Sequence, residues 1–205
     1  MNAARAINHH ADHPGFSGVT GVLCGLAFLL VGRAKARLAA DVAQLSSADH
    51  VVDVGCGPGT AARVAARRGA QVTGVDPSST MLRIARMVTP KRAPITWREG
   101  TAEALPAPGG SATVVWALAT VHHWQDVDKA VAEAHRVLIP SGRLIAIERQ
   151  SPDDATGLAS HGWTQQQAEA FAAVCRDAGF DDVSVAENGS GKQAAWVVSA
   201  THRPL

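Results

Sequence analysis

The feature that most constrains this chain is a glycine-rich turn between a predicted buried strand and a predicted helix. The segment from Val51 to Thr60 reads VVDVGCGPGT, in which an apolar run leads into Gly55, Gly57 and Gly59. Glycine allows positive φ angles and a close approach of the backbone to a ligand. The first N–H groups of the following helix have no partners inside the helix and can bind anionic groups. The pattern predicts a ligand-binding strand–turn–helix unit.

An acidic residue stands at the end of the next predicted strand. Asp76 follows Gly55 by 21 positions, and a carboxylate there can accept hydrogen bonds from both hydroxyls of a ribose. The turn and the acid together indicate a cofactor that contains a nucleoside, and a plain tight turn with a capping Asp is the alternative. Thr60 stands where a dinucleotide fingerprint requires Gly or Ala, and Asp53 precedes Gly55 by two residues.

From residue 51 onward, short β-branched runs alternate with helical patterns, which predicts an α/β fold whose sheet is covered on both faces. The last two strands are joined by a short glycine-containing loop, so they are expected to pair antiparallel. The predicted strands are Val51–Val54, Gln71–Val75, Ile95–Arg98, Val114–Leu118, Arg143–Glu148, Val183–Ala186 and Ala194–Ser199. The predicted helices are Thr60–Arg68, one from Ser78 or Ser79 to Pro90, one from Asp126 to Pro140, and one that a capping box of Thr164 and Gln167 begins and Gly179 ends.

Composition narrows the class of protein. With 205 residues, 46% of them hydrophobic, the chain can bury the core of one domain and is not of the disordered type. Lys and Arg total 19 against 18 Asp and Glu, a net charge of +1, whereas nucleic-acid-binding domains normally carry a basic excess. We therefore expect a small-molecule ligand and no nucleic acid. Cys24, Cys56 and Cys175 lie far apart, which favours a reducing cytoplasm over a disulfide framework or a zinc knuckle.

The N-terminal region lies outside the alternation. The segment Gly18–Gly32 is apolar but shorter than the roughly 20 residues that a spanning helix needs, so no stable membrane insertion is expected, although a secretory signal is the alternative. We predict that residues 1–32 form a lid over the acceptor or a contact in a homodimer. His9, His10, Asp12 and His13 could bind a metal together with His122 or His123, or form a polar loop; no metal is expected.

Several further segments accompany the glycine-rich turn and Asp76. They are EGTAEALP at residues 99–106, VHHW at 121–124 and EAHRVLIPSG at 133–142. In this combination the chain resembles the class I S-adenosylmethionine-dependent methyltransferases over about residues 33–200. The resemblance implies an α/β, Rossmann-like fold with a seven-stranded, mostly parallel sheet, helices on both faces and an antiparallel final hairpin, formed by residues 33–205. It also implies S-adenosyl-L-methionine as cofactor and S-adenosyl-L-homocysteine as product.

The resemblance also assigns the cofactor residues. Gly55, Gly57 and Gly59 would face the methionine and ribose, Asp76 would bind the ribose hydroxyls, and Asp53 would orient the turn or receive the ammonium group. Thr101 stands where relatives often have an Asp that reaches the adenine amino group. The remaining positions predicted at the cofactor are Cys56, Pro77, Met81, Ala102, Glu103 and Leu118.

His122 and His123 follow the fourth strand, at the crevice where open α/β sheets bind ligands. We call this part of the crevice, where the methyl acceptor is expected to bind, the acceptor end. A histidine there can act as the general base for a hydroxyl acceptor, or it can brace the loop. Trp124 and Trp163 are expected to flank this crevice, where flat indoles suit a sugar face or an aromatic ring. His13 and Phe16 are the other predicted substrate residues.

The sequence therefore predicts an O-methyltransferase of a small molecule, favoured to be a sugar or glycoside. The composition, rich in Ala and Arg, also resembles that of actinobacterial sugar O-methyltransferases. The alternative is C- or N-methylation of a quinone or another small metabolite. More remote alternatives are an NAD(P)-dependent oxidoreductase, disfavoured by Thr60 and by the absence of Tyr, and a non-catalytic methyltransferase-like binding module.

Overall fold

The computed structural model describes residues 7–11 and 32–203. In this part of the chain seven strands form one sheet in the order β3-β2-β1-β4-β5-β7-β6. The strands are β1 His50–Val54, β2 Gln71–Asp76, β3 Ile95–Glu99, β4 Ala112–Leu118, β5 Leu138–Arg149, β6 Phe180–Asn188 and β7 Ala195–His202. The helices are α1 Arg33–Val42, α2 Thr60–Arg67, α3 Ser79–Val88, α4 Val127–Val137 and α5 Gln165–Asp177. His13, Phe16 and most of Gly18–Gly32 lie outside the described residues.

The first five strands are parallel, and β7 inserts antiparallel between β5 and β6. This confirms the predicted mostly parallel, Rossmann-like sheet with its antiparallel final hairpin. The strand order reverses between β1 and β4, and the crevice beyond the carboxyl ends of the strands at such a point is where open α/β sheets bind ligands. Residues that follow β1, β2, β4 and β5 therefore meet at one edge.

Alternate strand residues face two separate apolar layers, as the two-residue period of a strand requires. On one face Val51 and Trp116 pack with residues of α1 and α2, and on the other Val52 and Val115 pack with residues of α4 and α5. None of the helices within residues 7–11 and 32–203 is long and apolar enough to cross a membrane.

The predicted helix caps are confirmed. The Ser78 hydroxyl accepts the Met81 N–H at 3.3 Å, and Thr164 and Gln167 form the reciprocal capping box. The predicted end of α4 at Pro140 is wrong, because Leu138 pairs with Ala112 and the chain extends into β5 immediately after Val137. An interruption in the register between β4 and β5 places Pro140 where the ladder is irregular.

Two glycines, Gly59 and Gly74, lie so close to the indole of Trp97 in β3 that no side chain fits at either position without moving it. A Cβ atom built on Gly74 of β2 would lie 2.5 Å from the indole, and one built on Gly59, at the start of α2, would lie 2.2 Å from it. Gly59 also has a φ of 78°, in the left-handed region. The indole therefore packs directly under the glycine-rich turn, which explains part of the glycine pattern by packing rather than by ligand contact.

We expect Gly59→Ala to lower the free energy of unfolding by about 2–4 kcal/mol, the sum of left-handed strain and overpacking against Trp97. Gly110→Ala is the matched control, because Gly110 also has a positive φ, of 60°, but no atom within 4 Å of a built Cβ. Denaturant unfolding of both variants measures the difference. Equal losses would show that Trp97 moves aside without cost.

Candidate active site

The glycine-rich turn is held rigidly at the carboxyl end of β1. The Cys56 N–H donates to the Val75 carbonyl of β2 at 3.0 Å, and the Gly59 N–H donates to the Cys56 carbonyl at 2.9 Å. A Cβ built on Gly57 would meet no atom within 4 Å. The turn is thus fixed by the neighbouring strand while Gly57 faces open space, where a ligand can approach the backbone.

Asp76 links the turn to the second strand. Its Oδ2 accepts the Gly57 N–H at 2.8 Å and its Oδ1 accepts the Ser78 N–H at 2.9 Å. Burial raises the pKa of this carboxyl, and the two N–H groups only partly oppose that effect. Because each carboxylate oxygen can accept a second hydrogen bond, Asp76 can support the turn and still accept the hydroxyls of a ribose.

Asp53 is a buried acid with an unsatisfied oxygen. Its side chain is 1% exposed, and no hydrogen-bond partner is present for Oδ2 within the described part of the chain. Burial raises the pKa of Asp53 to about 7; hydrogen bonds from the Trp116 indole and the Ala62 N–H only partly oppose that rise, and the nearby charge of Asp76 adds to it. A buried carboxylate that is not fully compensated is costly, and a cationic group brought by a ligand would offset the cost. The ammonium group of S-adenosylmethionine fits this requirement.

The other predicted cofactor residues differ in their exposure. Met81, Ala102 and Cys56 are buried, whereas Leu118 is half-buried and Pro77 is exposed. Burial raises the pKa of the Cys56 thiol well above its usual value. Thr101 forms an isolated bridge with Ala104. Glu103 follows β3, and its Oε1 accepts the Gln125 N–H at 2.7 Å and the N–H of Asp126, the N-cap of α4, at 3.3 Å. The contacts of Glu103 are therefore with the residues that lead into α4.

Glu148, which the sequence analysis did not single out, is bonded to His122 and to the 121–124 turn. It is fully buried at the end of β5, its Oε1 accepts the Val121 N–H at 2.9 Å, and its Oε2 accepts from His122 Nδ1 at 3.0 Å. Burial alone would raise the pKa of Glu148, but His122, Lys35 and the Val121 N–H outweigh it and the pKa is lowered. An acid at the end of the apolar run Leu144–Ile147 was the available signal.

The pairing with Glu148 fixes the chemistry of His122. An ionised carboxylate only accepts hydrogen bonds, so Nδ1 of His122 carries a proton in this pair, and in the neutral imidazole the lone pair lies on Nε2. His123 differs: its Nδ1 lies 3.3 Å from the His10 carbonyl, and burial, with a further contribution from His122, lowers its pKa to about 4. Of the two predicted base candidates, the geometry favours His122.

Residues 7–11 lie against the 121–124 turn. The His10 N–H donates to the His122 carbonyl at 2.9 Å, and the Asn8 side-chain amide donates to the Trp124 carbonyl at 3.0 Å. His9 Nε2 is 2.7 Å from the Ser160 carbonyl, in the loop between β5 and α5. This short piece of the N-terminal region therefore joins two loops at the acceptor end, next to His122 and His123.

The prediction that the indoles of Trp124 and Trp163 offer flat faces to an acceptor is wrong. Trp163 is 0% exposed and Trp124 is 6% exposed, and both pack on Phe171 of α5, with ring centroids 5.0 Å and 6.1 Å away. The Trp163 Nε1 donates to the Ile7 carbonyl at 3.1 Å. The helical face of α5 and residues 7–11 take up both indoles, so they belong to the core.

Comparison with known proteins agrees with this geometry. Residues 52–146 match the family model described as a methyltransferase domain. A demethylmenaquinone methyltransferase of Tropheryma whipplei is 35% identical over 116 residues, which cover 57% of this chain and 48% of that protein. A methyltransferase of uncharacterised function from Bacillus subtilis is 33% identical over 110 residues, 52% of this chain and 44% of that protein. The chain thus spans about half the length of the curated relatives it matches.

Solved structures share the fold. A SAM-dependent methyltransferase from Aquifex aeolicus superposes with a TM-score of 0.71 at 16% identity, covering 88% of this chain and 97% of that one. One from Mesorhizobium loti gives a TM-score of 0.66 at 22% identity, covering 84% and 99%. The resemblance read from the motifs is confirmed to this extent: residues 52–146 match a methyltransferase-domain model, and the fold is that of these SAM-dependent methyltransferases. S-adenosylmethionine is the cofactor that this resemblance implies.

We expect Asp53→Asn to stabilise the ligand-free protein in a pH-dependent way. The pKa of Asp53 is higher in the folded state than in the unfolded chain. The free energy of unfolding of the wild type therefore falls as pH rises from about 4 to about 7, and Asp53 causes no further fall above that range. The advantage of the variant should grow over that range to about 2–4 kcal/mol. Denaturant unfolding at several pH values measures it.

Asp49→Asn is the control with the opposite sign. Although burial opposes the effect, the Ser46 N–H and hydroxyl, Thr113 and Arg143 hold the pKa of Asp49 below its usual value. Its carboxylate therefore contributes stability that is present above the unfolded pKa and is lost as pH falls. Asp49→Asn should destabilise the protein at neutral pH, and a loss of stability in Asp53→Asn as well would refute the assignment of Asp53 as an uncompensated acid.

We expect Asp76→Asn to weaken S-adenosylhomocysteine binding by about 10–150-fold, because charge-assisted hydrogen bonds to the ribose, worth about 1.5–3 kcal/mol, are lost. Calorimetric titration measures the affinity. Asp181→Asn, on the edge strand β6, is the control for a carboxylate outside the site, and an unchanged affinity in Asp76→Asn would remove Asp76 from the cofactor contacts.

Proposed function

We propose that this chain is an S-adenosylmethionine-dependent methyltransferase acting on a small acceptor of the quinol class, an aromatic ring that carries hydroxyl groups. The proposal that the chain uses S-adenosylmethionine rests on the buried Oδ2 of Asp53, which has no hydrogen-bond partner among the described residues. Asp53 lies just before the glycine-rich turn, in which Gly57 faces open space and donates its N–H to Asp76. Such a site binds a ligand that has both a cationic group and a ribose.

The acceptor class rests on two observations. The relatives of this chain include a demethylmenaquinone methyltransferase and a ubiquinone/menaquinone biosynthesis C-methyltransferase, both named for quinone substrates. The two indoles, which were matched to a sugar face or an aromatic ring, are buried in the core, so they no longer support a sugar and do not favour a quinol either. On the names of the relatives, a quinol replaces the sugar or glycoside as the favoured acceptor, with methylation at a ring carbon beside a hydroxyl.

His122 and Glu148 supply the proton chemistry that such an acceptor requires. S-adenosylmethionine, when bound, supplies an electrophilic methyl group on a sulfonium. Nε2 of His122 accepts the proton of the ring hydroxyl, and the Glu148 carboxylate on Nδ1 orients the imidazole and stabilises its cationic form. Loss of the proton makes the ring oxygen an electron donor to the adjacent ring carbon, and the bond from that carbon to the methyl group forms as the methyl–sulfur bond breaks, leaving S-adenosylhomocysteine. The protonated His122 then returns its proton to the ring oxygen, and the hydrogen on the methylated carbon leaves as a proton, which restores the aromatic ring.

The N-terminal region contributes the cover of the acceptor end. In support, residues 7–11 bond to the 121–124 turn and to Ser160 in the β5–α5 loop, so they lie beside the predicted base. A lid at this place excludes water and helps to hold the acceptor in line with the methyl group, which is the largest source of rate in a displacement of this kind. A contact in a homodimer is the competing role for residues 1–32.

The decisive experiment combines cofactor binding and methyl transfer. Purified protein is titrated with S-adenosylmethionine, S-adenosylhomocysteine and NADH, and then incubated with methyl-labelled S-adenosylmethionine and either a reduced demethylmenaquinone analogue or a set of glycosides. We expect binding of the first two ligands alone and label on a ring carbon of the quinol. NADH binding would support an oxidoreductase, label on oxygen would support the O-methyltransferase, and cofactor binding without transfer would support a non-catalytic module.

We expect His122→Asn to lower turnover by about 10²–10⁴-fold, the usual contribution of a general base, with cofactor affinity unchanged. Asn places an amide nitrogen close to the position of Nδ1, so the bond to Glu148 is preserved while Nε2 is removed. Steady-state transfer rates and calorimetry on the same samples separate the two effects. His202→Ala, at the far end of β7, is the control, and full activity of His122→Asn would refute the base.

A further inference from the structure

Three histidines from separate parts of the chain meet at the acceptor end. His122 and His123 follow β4, and His161 lies in the loop between β5 and α5, immediately after the 3-10 turn Gly157–Ser160. One ring nitrogen of each lies within 4.8 Å of those of the other two. His122 is buried, and His123 and His161 are half-buried. Imidazole is a preferred ligand of zinc and related divalent metals, and a three-histidine set is a known arrangement for them.

Glu148 prepares His122 for this role. Histidines that bind a metal usually donate their other ring N–H to a carboxylate, which fixes the tautomer and makes the ligating nitrogen more basic. The bond from His122 Nδ1 to Glu148 Oε2, at 3.0 Å, is of this kind, and the carboxylate is itself held by the Val121 N–H. The second nitrogen of His122 is thereby left with the lone pair that a metal requires.

His10 supports the third histidine. Its ring stacks on that of His161, with centroids 4.2 Å apart and planes at 15°, and its Nε2 lies 3.1 Å from the Ser160 hydroxyl. The backbone carbonyl of His10 lies 3.3 Å from His123 Nδ1. His10 thus contacts all three histidines: the ring of His161, Nδ1 of His123 and, through its N–H, the carbonyl of His122.

We propose that His122, His123 and His161 form a binding site for a divalent transition metal of the Zn²⁺ class, with Glu148 as the positioning residue of His122. Tetrahedral coordination at about 2.0–2.1 Å brings ligand nitrogens to about 3.3 Å from one another. Side-chain rotations that draw the three rings together by about 1–2 Å reach that spacing from the observed limit of 4.8 Å. Three protein ligands leave the fourth position for an oxygen ligand such as water.

Metal binding would regulate the reaction. The metal takes the lone pair of His122 that the acceptor proton needs, so the metal-bound and the base-competent forms exclude each other. This consequence rests on the proposed function, whereas metal binding itself depends only on the three histidines. The site is therefore an inhibitory metal site within the acceptor end, and its occupancy leaves the glycine-rich turn and Asp76 unchanged.

The test uses the full chain, stripped of metal, with Co²⁺ as a spectroscopic probe and Zn²⁺ in competition. We expect one equivalent of Co²⁺ to give the visible absorption of a tetrahedral site, and Zn²⁺ to displace it. Glu148→Gln should weaken binding by about 10–100-fold, as loss of a carboxylate behind a ligating histidine does. His161→Ala and His123→Ala should weaken it further, and His202→Ala, which removes a histidine near His135 at a distance from the site, should have no effect.

Two controls keep the inference separate from the proposed function. Each sample is also titrated with S-adenosylhomocysteine: a protein that binds S-adenosylhomocysteine but no Co²⁺ overturns the metal site alone, whereas one that binds Co²⁺ but not S-adenosylhomocysteine overturns the methyltransferase alone. His13→Ala tests a site built by the N-terminal histidines. Loss of Co²⁺ binding in His13→Ala, with binding retained in His161→Ala, would overturn the assignment to His161.

Discussion

The structure depends on how it compensates three buried carboxylates at the carboxyl edge of its sheet. Asp53, Asp76 and Glu148 end or nearly end β1, β2 and β5, and all three are buried. Burial raises the pKa of each, but the outcome differs with the partners. Glu148 has His122, Lys35 and a backbone N–H and its pKa falls below normal, Asp76 has two N–H groups and its pKa stays raised, and the pKa of Asp53 rises to about 7.

This gradient divides the site into two halves. Glu148 is satisfied within the protein, so its role is to hold the 121–124 turn and His122 in one arrangement before any ligand arrives. The hydrogen bonds of Asp53 do not fully compensate its burial, which costs stability in the ligand-free state, and we expect a bound cation to recover that cost. The cofactor half therefore gains from its ligand, whereas the acceptor half is organised in advance.

The strand–turn–helix units that carry Asp53 and Asp76 could be predicted from the sequence because their parts are local. The turn, Asp53 and Asp76 lie in two consecutive strand–helix units whose glycines, strand lengths and caps are set by neighbouring residues, and the fold and the caps at Ser78 and Thr164 were predicted for the same reason. The burial of Trp163 could not be predicted from the sequence. It depends on contacts with Phe171 of α5 and with Ile7, and neither contact produces a periodic pattern in the sequence. The end of α4 was misplaced because pairing between Leu138 and Ala112 overrides the helix-breaking signal of Pro140.

The same distinction decides what the relatives can teach about this chain. The family match covers residues 52–146, which contain the turn, Asp76 and both histidines of the 121–124 turn but neither Glu148 nor His161. The residues that orient His122 and complete the histidine cluster therefore come from segments outside the match: the end of β5, the β5–α5 loop and residues 7–11. Since function lies in sites and not in folds, we expect the matched residues to bind the methyl donor and the segments on either side of them, which surround His122, to select the acceptor.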